Sequence, residues 1–209
     1  MLRLIFSVLF SALLLLPIYG YSSPVFINEL HYDNAGADEF EAVELAGVAG
    51  TDLSGWYLQF YNGLDGSVYD TMTLSGDVPD EGEGYGAKTF YKKGIQNGSP
   101  DGLALIDDKD SVVSFLSYEG EFLAVDGVAA GLRSVDMGVF ETSSTAKGLS
   151  LQLSGLGRIY EDFVWTLDAS SFSAINKFQD FRAANELPVP GVLLLMLPFI
   201  YLGARSISH

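Results

Sequence analysis

The chain has 209 residues, a formal net charge of -16 and no cysteine. The lack of cysteine excludes disulfides, thiol catalysis and thiolate metal sites. The negative charge argues against direct nucleic-acid binding, because phosphate recognition needs clustered lysine and arginine.

The first 22 residues have the pattern of a secretory signal peptide. Arg3 precedes an apolar run from Leu4 to Leu16, and the small residues Gly20 and Ser22 follow it. A membrane-spanning helix needs ~20 apolar residues, so this shorter run favours a signal helix that is cleaved after Ser22 over a retained anchor. We therefore expect residues 1–22 to be removed on export.

The chain from Pro24 to about Asn185 consists of short apolar runs separated by Gly, Asp, Asn and Pro clusters. This pattern is typical of an all-β sandwich or barrel. The runs that predict strands are 25–30, 40–45, 56–61, 102–106, 112–116, 149–153 and 163–166. The acidic turn 107–110 predicts a hairpin, the Gly-rich stretch 82–86 predicts a loop, and residues 178–184 predict a short helix.

Several segments of this central region together carry a family resemblance. They are Ile27 to Asn34 with Glu39 to Leu45, then Asp52-Leu53-Ser54-Gly55-Trp56, then Asn97 to Leu105 with Val112, and finally Phe163-Val164-Trp165 with Ser173 to Asn176. Together they resemble the lamin tail domain family, which also occurs in exported bacterial proteins. The resemblance implies one immunoglobulin-like β-sandwich domain over residues 23–186.

The second of these segments also has a direct physical interpretation. Gly55 allows a tight turn before Trp56 enters the core, and Asp52 can accept backbone N–H groups in that turn. Trp56 and Trp165 both lie in predicted strands, which favours core packing between two sheets over ligand stacking. We predict structural roles for these four residues, and we predict no catalytic residue in the chain.

The acidic loop 33–39 is a tentative calcium site. Asp33, Asn34, Asp38 and Glu39 offer hard oxygen ligands of the kind that calcium prefers, although a solvated turn between two strands explains the same residues. A catalytic role for His31 would need a nucleophile, and the sequence contains no G-x-S-x-G nucleophile motif. We therefore expect His31 to be structural or exposed rather than catalytic.

The last segment, residues 187–209, resembles a C-terminal sorting signal of the PEP-CTERM type. Pro188 and Pro190 precede a short apolar helix over 192–202, and Arg205 follows it. The resemblance implies transient anchoring in the inner membrane and cleavage by an exosortase-like enzyme. A permanent tail anchor is the alternative.

From these features we expect a non-enzymatic, exported binding or structural module at the bacterial cell surface or in extracellular matrix. Its expected partner is a protein or a polysaccharide, it needs no cofactor other than possible calcium, and it does not bind nucleic acid directly. Two alternatives remain open: a small secreted hydrolase that uses paired carboxylates, and an accessory domain that serves a secreted nuclease.

Overall fold

The structure is a computed structural model, and it describes residues 23–182. The predicted signal helix and the predicted C-terminal helix, with Pro188, Pro190 and Arg205, lie outside the described residues. Within 23–182, no helix is long and apolar enough to span a membrane.

The described residues form two β-sheets. The strands are β1 (Val25–His31), β2 (Ala42–Val48), β3 (Tyr57–Asn62), β4 (Ser67–Thr73), β5 (Tyr85–Tyr91), β6 (Asp101–Ile106), β7 (Val112–Tyr118), β8 (Val135–Asp136), β9 (Leu149–Leu156), β10 (Phe163–Ala169) and β11 (Gln179–Asp180). The first sheet has the order β10-β9-β1-β2-β5, with β11 also paired to β9. The second has the order β4-β3-β6-β7-β8. The predicted two-sheet, all-β architecture is confirmed.

The predicted hairpin at 107–110 is also confirmed, since β6 and β7 pair antiparallel across it. Two local predictions are wrong. Tyr85 and Gly86 begin β5 rather than belonging to a loop, because β5 pairs along its whole length with β2. Residues 179 and 180 form β11 in place of a helix, because the backbone of this segment pairs in parallel with β9.

The main core lies between the sheets and contains one apolar face of each. Leucine, valine and isoleucine side chains from six of the longer strands meet there with Trp56, Phe60 and Tyr118. Burying each such side chain stabilises the fold by ~1.5 to 3 kcal/mol. The two sheets therefore form one unit.

Each sheet is also covered on its outer face. A smaller cluster that includes Phe26, Leu153 and Phe181 covers the outer face of the first sheet. Another, which includes Tyr61, Phe115 and Phe122, covers the outer face of the second. As a result β1 and β6 are buried at every position, including the polar residues Asn28 and Glu29 of β1.

The cover of the first sheet is the segment Ser170–Arg182, which we call the strap. Asn176 anchors it by donating from Nδ2 to the carbonyl oxygen of Leu153 at 2.8 Å. Beneath the strap, Glu44 is fully buried and accepts hydrogen bonds from Thr89 Oγ1 at 2.6 Å and from the Ser173 backbone N–H at 2.7 Å. The beginning of the strap lies beside the end of β1, where the candidate site is found.

Candidate functional site

The most unusual residue near the end of β1 is Phe40. Its side chain is 79% exposed and its φ is 64°. A bulky residue in the left-handed region is strained by about 1 to 3 kcal/mol, and exposure leaves that strain without compensating burial. Strain of this kind is concentrated at functional sites.

The neighbours of Phe40 fix its position from both sides. On one side, Glu39 N–H donates to Asn34 Oδ1 at 3.2 Å. On the other, the Glu41 carboxylate accepts the backbone N–H groups of Gly94 and Ile95, both at 2.7 Å. Because both flanking residues are held, Phe40 projects outward from a defined backbone position.

Phe40 forms one wall of a groove with a volume of about 450 Å³. Tyr91, at the end of β5, and Phe172, at the start of the strap, supply two more aromatic rings. The centroids of the Tyr91 and Phe172 rings are 6.4 Å apart and their planes are inclined by 58°. The remaining lining residues are His31, Asn34, Glu39, Lys147, Gly148, Leu149 and Ser170. We call this cavity the aromatic groove.

The floor of the groove is held by a buried pair, His31 and Glu141. His31 Nδ1 lies 2.7 Å from Glu141 Oε1, and the Glu141 side chain is fully buried. The other oxygen, Oε2, accepts the backbone N–H groups of Tyr32 at 2.7 Å and Asp33 at 3.0 Å. These contacts join the end of β1 to a loop more than 100 positions away in sequence.

The surroundings of the His31 ring indicate that both ring nitrogens carry protons. Nε2 lies 3.2 Å from Asn34 Oδ1 and 3.1 Å from the Glu39 carbonyl oxygen, and both of these atoms are acceptors. Burial lowers the pKa of His31, but hydrogen bonding and charge attraction from Glu141 outweigh it, so the net pKa is raised. A doubly protonated ring with acceptors at both nitrogens has no free lone pair to act as a general base.

The four tentative calcium ligands do not all face one point. Asn34 Oδ1 is directed at His31 and the Glu39 N–H, while the Glu39 carboxylate lies 3.0 Å from Lys147 Nζ. The other two ligands, Asp33 and Asp38, are close to each other. Burial raises the pKa of Asp33, and the negative charge of Asp38 raises it further. In residues 23–182, no group of three His, Cys, Asp or Glu side chains is arranged to hold a metal ion. Calcium binding stays a prediction.

Many of the other carboxylates bind backbone N–H groups within the protein. Asp101 accepts from Gly63 at 2.9 Å and from Gly98 at 2.6 Å. Glu81 accepts from Ala87 and from Ile175 of the strap, both at 2.8 Å. Part of the strong acidity of the chain therefore serves to fix loops, since a carboxylate can accept several donors at once.

The residues of the Asp52 to Trp56 segment occupy a turn and the core. Asp52 Oδ1 accepts the Ser54 N–H at 2.8 Å, and Gly55 has a φ of 84° that favours glycine. Trp56 is 7% exposed and belongs to the core between the sheets. Trp165 is half-buried and donates from Nε1 to Tyr160 Oη at 2.9 Å.

Sequence reasoning missed the groove, although it singled out three of its lining residues for other roles: Asn34 and Glu39 as calcium ligands, and His31 as a structural or exposed histidine. It placed Phe40 within a strand and assigned no role to Tyr91, Phe172 or Lys147. One signal was present: around Phe40 the alternation of apolar residues breaks down. The chain matches no protein-family model, no curated protein and no solved structure.

Proposed function

We propose that this chain is an exported, non-enzymatic binding module of the bacterial cell surface or extracellular matrix, and that the aromatic groove is its binding site. We also propose that its sandwich is of the immunoglobulin-like, lamin tail type. Recognition of this kind needs a concave surface with aromatic walls and a few polar groups.

The convergence of three aromatic side chains on one cavity carries this proposal. Phe40 and Tyr91 are 79% and 64% exposed, although burying them would stabilise the fold. Scattered exposed apolar residues are normal, but three rings around one cavity of about 450 Å³ mark an interaction site.

The residues of the groove also support a non-enzymatic role. A hydrolase with paired carboxylates needs two acids facing each other roughly 5 to 9 Å apart. Among residues 23–182, Glu39 is the only acidic residue that lines this cavity, and its carboxylate is paired with Lys147. His31 is hydrogen-bonded at both ring nitrogens, so it is not placed to activate a nucleophile.

The test is to add purified, exported protein back to washed cells of a strain that lacks the gene. We expect the wild-type protein to bind, and the Tyr91→Ala and Phe172→Ala variants to lose most of that binding. Phe178→Ala is the matched control, because Phe178 is a 55% exposed ring that does not line the groove. Equal binding by all four proteins would contradict the proposal.

A parallel screen with glycoside, ester and nucleic-acid substrates tests the non-enzymatic part. We expect no turnover above that of the buffer. Turnover that survives repurification and is lost when one carboxylate is replaced would overturn this part of the proposal.

A further inference from the structure

The lining of the aromatic groove restricts the class of ligand that can bind there. Its walls are aromatic, the polar atoms of His31 and Asn34 at its floor are hydrogen-bonded within the protein, and its rim carries Ser170 and one ion pair. These three features exclude different classes of ligand.

The charges that line the groove are paired with each other or with their neighbours. Lys147 Nζ lies 3.0 Å from the Glu39 carboxylate, and the His31 ring contacts the buried Glu141 at 2.7 Å. Within a chain of net charge -16, this leaves no excess of positive charge to attract a phosphate or another anion. The groove therefore suits a ligand without net charge.

The polar groups at the rim disfavour a lipid chain. Ser170 is exposed, and the Glu39 and Lys147 side chains are each about half exposed, so a hydrocarbon packed against them would displace their water without replacing its hydrogen bonds. The cavity of about 450 Å³ has the size of a site for a small ligand or part of a chain, whereas a stable protein interface buries about 800 Å² on each side. A sugar ring combines an apolar C–H face, which packs on aromatic rings, with hydroxyl groups at its edge.

The inclination of the rings further restricts the form of the ligand. Tyr91 and Phe172 are inclined by 58°, with their centroids 6.4 Å apart. Two rings at this angle cannot both lie against one flat crystalline face. The two rings contact each other, and together with Phe40 they can pack against a single chain that lies in the cavity.

We infer that the aromatic groove binds a single chain of neutral polysaccharide, an assignment that rests on the proposed binding function. Phe40 is the third wall of this site, held at a φ of 64° between the anchored residues Glu39 and Glu41. The hydroxyl-rich edge of the sugar faces Ser170 and the half-exposed Glu39–Lys147 ion pair at the rim.

Isothermal titration calorimetry on the exported protein tests this inference. The probes are soluble hexasaccharides of glucose, xylose and N-acetylglucosamine, with polygalacturonate as the anionic comparison. We expect saturable binding of at least one neutral hexasaccharide that is unaffected by added salt. The Tyr91→Ala and Phe172→Ala variants should each weaken it about tenfold or more, and Phe178→Ala should leave it unchanged.

Three outcomes would overturn the inference. They are the absence of binding by every neutral hexasaccharide, binding that the groove variants do not weaken, and preferential, salt-sensitive binding of polygalacturonate. If the cell-binding assay still depends on Tyr91 and Phe172 while no saccharide binds, only the ligand class is wrong. If the cell-binding assay fails as well, the proposed function is wrong.

Discussion

At the scale of single residues, Phe40 has a backbone conformation that lowers the stability of the fold. An aromatic residue with a φ of 64° and 79% exposure is strained and gains little from packing. Glycine adopts the same backbone angle without strain. The proposed binding function would account for this conformation, which packing within the described residues does not.

We predict that Phe40→Gly raises the free energy of unfolding by ~0.5 to 1 kcal/mol, because the relief of strain exceeds the greater flexibility of glycine in the unfolded chain. The same variant should bind less well in the cell-binding assay. Chemical denaturation measures the first effect, with Phe178→Gly as the control that should lose stability. A destabilised Phe40→Gly variant would show that Phe40 supports the fold.

Trp56 has the opposite role. It is 7% exposed and packs in the core between the sheets. We predict that Trp56→Ala lowers the free energy of unfolding by ~3 to 5 kcal/mol, as truncation of a buried aromatic side chain does. An unchanged denaturation midpoint would contradict this packing role.

At the scale of secondary-structure elements, the sequence predicted strands wherever apolar runs are long. It missed β4, whose partly exposed sequence Ser67–Thr73 is largely polar, and it missed β5, whose first two residues it read as a loop. The aromatic groove could not be predicted, because its residues come from the end of β1, the end of β5, the start of β9 and the strap. Only the tertiary fold brings these elements together.

The strap and the sheet beneath it enclose the side chain of Glu44, whose pKa is raised. Burial raises the pKa of Glu44 to about 7, and charge repulsion from Glu29 adds to this, although hydrogen bonds from Thr89 and Ser173 oppose it. The pKa in the folded state therefore lies above the ordinary value of 4.5. A raised carboxyl pKa stabilises the fold at low pH, and that contribution is lost as the pH rises from 4.5 to 7.

We predict that the free energy of unfolding of Glu44→Gln, measured relative to that of the wild-type protein, increases by about 3 kcal/mol as the pH rises from 4.5 to 8. Urea denaturation of both proteins across this range measures the difference. His31, whose pKa is also raised, should add a decline above pH 6.5 in both proteins. Parallel stability curves for the two proteins would show that Glu44 has an ordinary pKa.

At the scale of the whole molecule, two outer clusters and one central core hold the described residues together, and the groove opens at one end of the first sheet. Both segments predicted to direct export lie outside the described residues. We predict that the protein purified from its own host begins near Ser23 and ends near Pro190. Intact-mass measurement decides this, and a mass that includes residues 191–209 would indicate a permanent anchor.

The most direct test of the binding account is an NMR titration of the isotope-labelled, exported protein with soluble extracellular polysaccharide from the producing cells. Backbone amide shifts should be largest at Phe40, Tyr91, Lys147 and Phe172, and the polysaccharide should be recovered with its chain length unchanged. Shifts clustered on the opposite sheet, shifts at no residue, or shortened polysaccharide chains would contradict a non-enzymatic binding site at the aromatic groove.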